Sequence, residues 1–210
     1  NDEPSDYQQF FLAKVVDNVD PEQMQRIKVT VPQVLSGEVS QLPWVMPLQQ
    51  VPFGGVASNY GIVAVPPIDS TVVVQFQNGD LMYGLLQGTV PLQEQKLDPL
   101  LVNYPKRYGM VDPAGNHFYV DCTEGSVEVQ FKHKSGTVLT IDDEGNVAVE
   151  VVKDTDLQFR GDVTAQVDGT LTATVDGDVS VTAGSNVTVD VSGDTSLSVG
   201  GSISSSASSW

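Results

Sequence analysis

Glycine returns every eighth residue in the C-terminal part of this chain, at Gly161, Gly169, Gly177, Gly193 and Gly201, with Ser185 in the one vacant slot. A short fixed period constrains architecture before any other feature, because each unit repeats one structural element that cannot bury its apolar face alone. Inside the octads the alternation is nearly strict. Val163, Ala165, Val167, Leu171, Ala173, Val175, Val179, Val181, Val187, Val189, Val191, Leu197 and Val199 take odd positions, and Thr, Ser, Asp, Gln and Asn fill most even ones. Period-2 alternation rich in Val and Thr predicts β-strand with one buried face. Eight is even, so that face survives every repeat boundary. A small apolar residue stands two positions ahead of each repeat point (Val167, Val175, Ala183, Val191, Val199), and glycine at the boundary permits a bend.

A strand of six or seven residues is roughly 20 Å long, so one octad makes one wall of a coil. The other walls come either from identical chains or from successive octads of one chain. The first solution, three chains intertwined as a triangular β-prism, pairs backbone groups between chains and leaves few exposed edges. It is the favoured one, since the inward side chains are small and almost none is aromatic, as a narrow core requires. The second is a monomeric β-solenoid serving as stalk or linker. A calcium-binding β-roll needs a nine-residue unit, which is absent. Asp168, Asp176, Asp178, Asp190 and Asp194 fall on the outward parity and are expected to form a solvated acidic surface.

With 27 acidic against 10 basic residues and a net charge of −17, the chain lacks the Lys and Arg needed to neutralise phosphates, so no nucleic-acid partner is expected. The same charge repels anionic membrane surfaces, and any passage through a membrane would have to be forced. Cys122 is the single cysteine, which excludes an intrachain disulfide and a cysteine-based zinc site. No apolar run reaches the length of a membrane-spanning helix. Asn1 opens no signal peptide, and the missing initiator Met is expected to reflect a processed or trimmed start.

Five regions are expected in an all-β chain. Residues 1–9 are polar and mobile. Residues 10–90 form an OB-fold barrel, from the strand-like runs FFLAKVVDNV, QRIKVTVP, LPWVMPL, GIVAVPP, TVVVQFQNGD and LMYGLLQGTV, with Asn78-Gly79 as a hairpin signal. Residues 91–107 are a connector, 108–151 a β lead-in whose strands are each stopped by glycine, and 152–210 the octad-repeat triple-stranded β-helix.

The run VVDNVDPEQMQRIKVTVP, then LPWVMPL, then VPPIDSTVVVQFQNGDLMYGLLQG resembles the OB-fold domain of central spike proteins of contractile phage baseplates and of the valine-glycine repeat spikes of type VI secretion. Asp17, Asp20, Pro21, Arg26, Lys28, Val29, Pro43, Trp44, Val72, Val74, Phe76, Gly79 and Asp80 occupy that family's pattern. Ile68-Asp69-Ser70 departs from it where relatives often carry a Pro-x-x-Gly turn. Phe131, His133, Ser135, Gly136, Ile141, Gly145 and Val147 match the family's lead-in to its prism. The resemblance runs from about Phe10 to Ile203. It implies a homotrimer located in the virion tail baseplate, with tail hub or tube proteins at the barrel end. It also implies a host outer membrane crossed mechanically, so that the spike enters the host cell envelope during infection. The best-known phage relative inserts a lysozyme domain after the barrel, and the roughly twenty connector residues here leave no room for one. Several relatives end in a tip where histidine pairs bind iron; no histidine follows His133, so that site does not transfer. A separate conical tip protein could seat at the C-terminal end, and Trp210 is either a residue packed at that junction or a frayed terminus. The type VI version carries a large hub-like domain ahead of the barrel, so the short segment before Phe10 implies a separate hub protein.

Catalytic chemistry finds little support. His117, Asp121 and Cys122 lie close in sequence, but strand parity puts His117, Tyr119 and Asp121 on one side and Phe118, Val120 and Cys122 on the other, with Cys122 expected in the core. His133 is expected at the surface or in a trimer contact. Asp142, Asp143 and Glu144 are a carboxylate cluster ahead of Gly145, which reads as an acidic turn more readily than as a glycosidase pair. No G-x-S-x-G, P-loop or H-E-x-x-H occurs. The expectation is a non-enzyme without cofactor, metal or catalytic residues, whose important positions are Gly161, Gly169, Gly177, Gly193, Gly201, Val167, Val175, Val191 and Val199. The rival is a glycan- or peptide-binding OB module on a β-solenoid stalk. That reading needs Tyr60, Tyr83 and Trp44 clustered on one exposed barrel face, whereas Trp44 is expected in the core.

Overall fold

A computed structural model describes residues 9–48, 62–92 and 96–206. The chain divides into two compact units, Asn1–Asp156 and Leu157–Trp210.

The first unit opens with a sheet of β1 (Phe10–Asp17), β2 (Lys28–Thr30), β3 (Met46–Pro47), β4 (Thr71–Phe76) and β5 (Gly84–Thr89), in the order β2-β1-β4-β5-β3. Neighbours are antiparallel except β3 on β5. The sheet closes on itself where Ile27 and Val45 exchange backbone hydrogen bonds of 3.1 and 2.8 Å, tying the start of β2 to the start of β3. Period-2 alternation places the core: Val72, Val74 and Phe76 of β4 turn inward onto Ala13, Val15, Ile27, Val29, Val31, Val45 and Leu86. This is the OB-type barrel expected for residues 10–90.

Two local expectations are corrected. GIVAVPP forms no strand over residues 62–67, Gly61 lying outside the described residues. Pro66 and Pro67 have no N–H to give a ladder; Val65 packs on the core and the Pro66 carbonyl accepts from Asn18 Nδ2 at 3.1 Å. The β4–β5 hairpin is present, but not as a two-residue turn. Asn78 and Gly79 do take left-handed φ of 52° and 74°, yet the loop continues to Tyr83, whose carbonyl accepts the Gln77 N–H at 3.0 Å. Asp80 fixes the far half by accepting the Met82 N–H at 2.9 Å.

The connector contains a single helical turn, α1 (Asp98–Leu101), with Leu100 buried. Then β6 (Arg107–Val111), β7 (His117–Asp121), β8 (Glu128–Lys132), β9 (Val138–Ile141) and β10 (Val147–Glu150) form an antiparallel meander in sequence order. Its turns carry Gly115, Gly125, Gly136 and Gly145 at φ between 73° and 105°, a region where a side chain is strained. Asp112 and Asp142 build matching cradles, each accepting backbone N–H groups two and four residues on.

In the second unit the octad period reappears as geometry. Bends fall at 160–161, 168–169, 176–177, 184–185, 192–193 and 200–201, every eight residues. A bend at 152–153, before this unit begins, keeps the same count. The stretches between bends pair with nothing: no described residue beyond Glu150 belongs to a strand. The strand walls expected from the alternation are thus not made within one chain, and a self-wrapped solenoid, which would pair successive octads, finds no pairing here.

Candidate assembly surface

The odd-numbered apolar residues of the octads are uncovered. Among the valines and leucines of four octads the residue two places before the repeat point is the better covered: Val167, Val175, Val191 and Val199 are 44 to 57% exposed, against 62 to 79% for Val163, Leu171, Val187, Val189 and Leu197. Gly161, Gly169, Gly177, Gly193 and Gly201 each take the second place of a bend, as Ser185 does. Bends fall at these glycines, as expected, but the bend does not depend on a left-handed backbone. None has a left-handed φ, and a Cβ added at any of them would meet nothing within 4 Å. The bends at 152–153 and 184–185 form with Lys153 and Ser185 in the glycine slot, so the bend of a single chain does not demand glycine there.

A second uncovered apolar surface lies on the meander. Its register aligns Met110, Phe118, Phe131, Leu139 and Val149 in one row across all five strands. Tyr108, Val120, Val129, Ile141 and Val147 form a parallel row on the same face. No charged residue interrupts either row. The Phe118 and Phe131 rings stand 4.4 Å apart, while Tyr108, Met110, Phe131, Val147 and Val149 are more than half exposed. An antiparallel sheet usually packs one face and wets the other; here the apolar face is the bare one.

The opposite, polar face is partly covered, which sequence parity did not reveal. Asp121 is fully buried. It accepts from Arg107 Nε, Asn103 Nδ2 and the Thr123 N–H, each at 2.9 Å. Arg107 also donates to the Pro99 carbonyl at 2.9 Å, and its guanidinium lies 3.9 Å from the Tyr119 ring centre. Thr123 does most to hold the Asp121 carboxyl well below the usual range, burial opposes it, and Asn103 and Arg107 lower it further. Of the two Thr123 donors, the N–H makes the hydrogen bond to Asp121, while the buried hydroxyl has no hydrogen-bond partner. Tyr119 donates its hydroxyl to Glu128, and burial, then that bond, pushes its pKa up to about 12. The signal for the Arg107–Asp121 pair was available in sequence: once the turn at Asp112–Asn116 is centred, counting outward sets Arg107 opposite Asp121.

The remaining sequence candidates separate. Cys122 is exposed just past the end of β7, not in the core. His117 Nε2 is 3.2 Å from Gln130 Oε1, and the exposed His133 has Nδ1 2.7 Å from Ser135 Oγ. Asp142 serves its turn, and Asp143 accepts the Val127 N–H at 3.2 Å. No group of three His, Cys, Asp or Glu able to hold a metal occurs among the described residues.

On the barrel, Arg26 forks onto Asp20 through Nε at 2.9 Å and Nη2 at 2.6 Å. Asp20 also accepts the Glu22 and Met24 N–H groups, and its carboxyl is held far below the ordinary range, by Arg26 above all. Buried Lys28 donates Nζ to the Val39 carbonyl at 2.8 Å and stands 4.9 Å from the centre of the Trp44 ring, with Arg26 at 5.6 Å. Trp44 is therefore a half-buried plate for two cations, not the core residue expected. Tyr83 is exposed, and Tyr60 lies outside the described residues.

Residues 11–90 match the family of the Type VI secretion system/phage-baseplate injector OB domain. No curated protein matches the chain. The matched segment is the closed five-stranded sheet, and it points to a baseplate or injector spike-type structural role.

Proposed function

We propose that this chain is a central spike of a contractile tail baseplate, acting mechanically as a rigid homotrimer. The observation that carries the reading is the octad segment. It bends every eighth residue, keeps one apolar parity throughout, and leaves that parity and its backbone unpaired within the chain. Three copies would supply each other with the missing walls as an intertwined β-prism. Burying a Val or Leu side chain is worth roughly 1.5–3 kcal/mol, repeated along every octad, so the assembled prism would resist bending and unfolding. The family matched by residues 11–90 supports a baseplate setting.

In this reading the barrel joins hub or tube proteins, the octads carry a separate tip protein, and sheath contraction drives the octads through the outer membrane. The chain acts by stiffness and not as an enzyme, and it needs no cofactor. The matched family covers both phage baseplates and type VI secretion, so an injector of the second kind is the nearest alternative. The glycan-binding reading is weaker, because one of its three aromatics, Trp44, lies beneath Lys28 and Arg26. Immunogold labelling of purified contractile particles should mark the end of the tail. Label along the sheath, or none on intact particles, would contradict the placement. Titration with cell-wall fragments should give no saturable binding.

A further inference from the structure

The octads have a register problem that the meander is placed to solve. Sliding one chain by eight residues against its neighbours keeps every glycine slot on a bend and every odd-numbered apolar residue on the same parity. Such a slip loses only the pairing of one terminal octad, so the repeats define their register weakly. The meander has no such degeneracy. Its strands pair inside the chain, in one register, through turns of differing sequence.

The two regions share one strand. Gly145 lies two periods before Gly161, so β10 belongs to an octad, GNVAVEVV. The odd residues of that octad include Val147 and Val149, which end the two apolar rows of the meander. The apolar parity of the repeats is therefore continuous in sequence with the bare face of a sheet that is already folded.

Resting on the trimeric reading, we infer that the meander face packs against the same face of two further copies and sets the chain register before the octads pair. The ten apolar residues of the two rows, uncharged and aligned across the sheet, suit an identical surface. A strongly anionic chain also needs an uncharged patch to meet its own copies.

The test uses the full chain with Cys122→Ser and a spin label at Asp178→Cys, read by interchain distance measurement alongside native mass. The unsubstituted meander should give a trimer with one narrow distance distribution. Phe131→Asp should add further distance populations or reduce the mass to that of a monomer. Met110→Asp, in the same row but outside the Phe118–Phe131 ring contact, should repeat the effect. Lys132→Ala, on the opposite face, should leave both readings unchanged. A trimer whose single distance survives both Phe131→Asp and Met110→Asp would overturn this inference alone. A monomeric chain before any meander substitution would overturn the trimeric reading itself.

Discussion

Asp121 and Cys122 are adjacent, and the structure treats them in opposite ways to what their polarity suggests. Strand alternation set Asp121 beside His117 and Tyr119, but β7 ends before Cys122, and polarity put the burial on the wrong residue. The polar face is covered because Pro99, Asn103 and Arg107, far back in sequence, close over Asp121, and a local pattern carries no sign of such a partner. This burial has a pH signature. Asp20 and Asp121 have folded-state carboxyls below the ordinary 3.8, so between the two values the unfolded chain binds more protons than the folded one. Their contribution is complete above the ordinary carboxylate range and is lost as the pH falls below it. Thermal melts of the intact protein should therefore fall steeply below about pH 4. Asp121→Asn should melt lower at neutral pH and lose less on acidification; an acid loss equal to that of the unsubstituted chain would contradict the assignment. In the barrel core, Phe76 is 1% exposed, and Phe76→Ala should cost about 3–5 kcal/mol, read from the denaturant midpoint of the barrel transition.

Strands were legible where an alternating run finds a partner strand within the chain; alternation alone did not suffice, since the strictly alternating octads form none there. β4 and β5 lie within runs that the alternation marked out and β7 to β10 within the β lead-in expected over residues 108–151, whereas β6 begins at Arg107 in the expected connector; the octad period reappears as bends. What was not legible were elements decided by partners. GIVAVPP has apolar residues enough for a strand, but its two prolines offer no ladder. The octad glycines fit a bend that the single chain makes equally well with Lys153 or Ser185. In the proposed trimer, a need for glycine would come from what packs against it. Replacing an odd-parity residue should therefore damage assembly where replacing an even-parity one does not. Val175→Asp should abolish a trimer band that survives SDS without boiling, while Asp176→Asn should retain it; equal behaviour of the two would remove the parity argument. Within the meander, a Cβ at Gly109 would collide with the Phe118 carbonyl oxygen, and Gly109→Ala should part β6 from β7. Crowding of this kind costs typically 1–3 kcal/mol, and it should appear as faster amide exchange in those two strands.

At the scale of the whole molecule, one chain leaves two apolar surfaces bare: the odd parity of the octads and one face of the meander. The octad parity was readable from sequence, whereas the meander face emerged only from the strand register; in the proposed trimer both would be covered by other copies. A net charge of −17 makes the association of identical chains costly at low ionic strength, where screening is weak. Assembly must then rest on burial and strand pairing, and raising salt should strengthen it. The native mass of the full chain by light scattering tests this account most directly. The account predicts a mass three times 22.5 kDa that persists on dilution and at high salt. A mass of 22.5 kDa under the same conditions would contradict it, leaving the octads without walls and the spike without its stiffness.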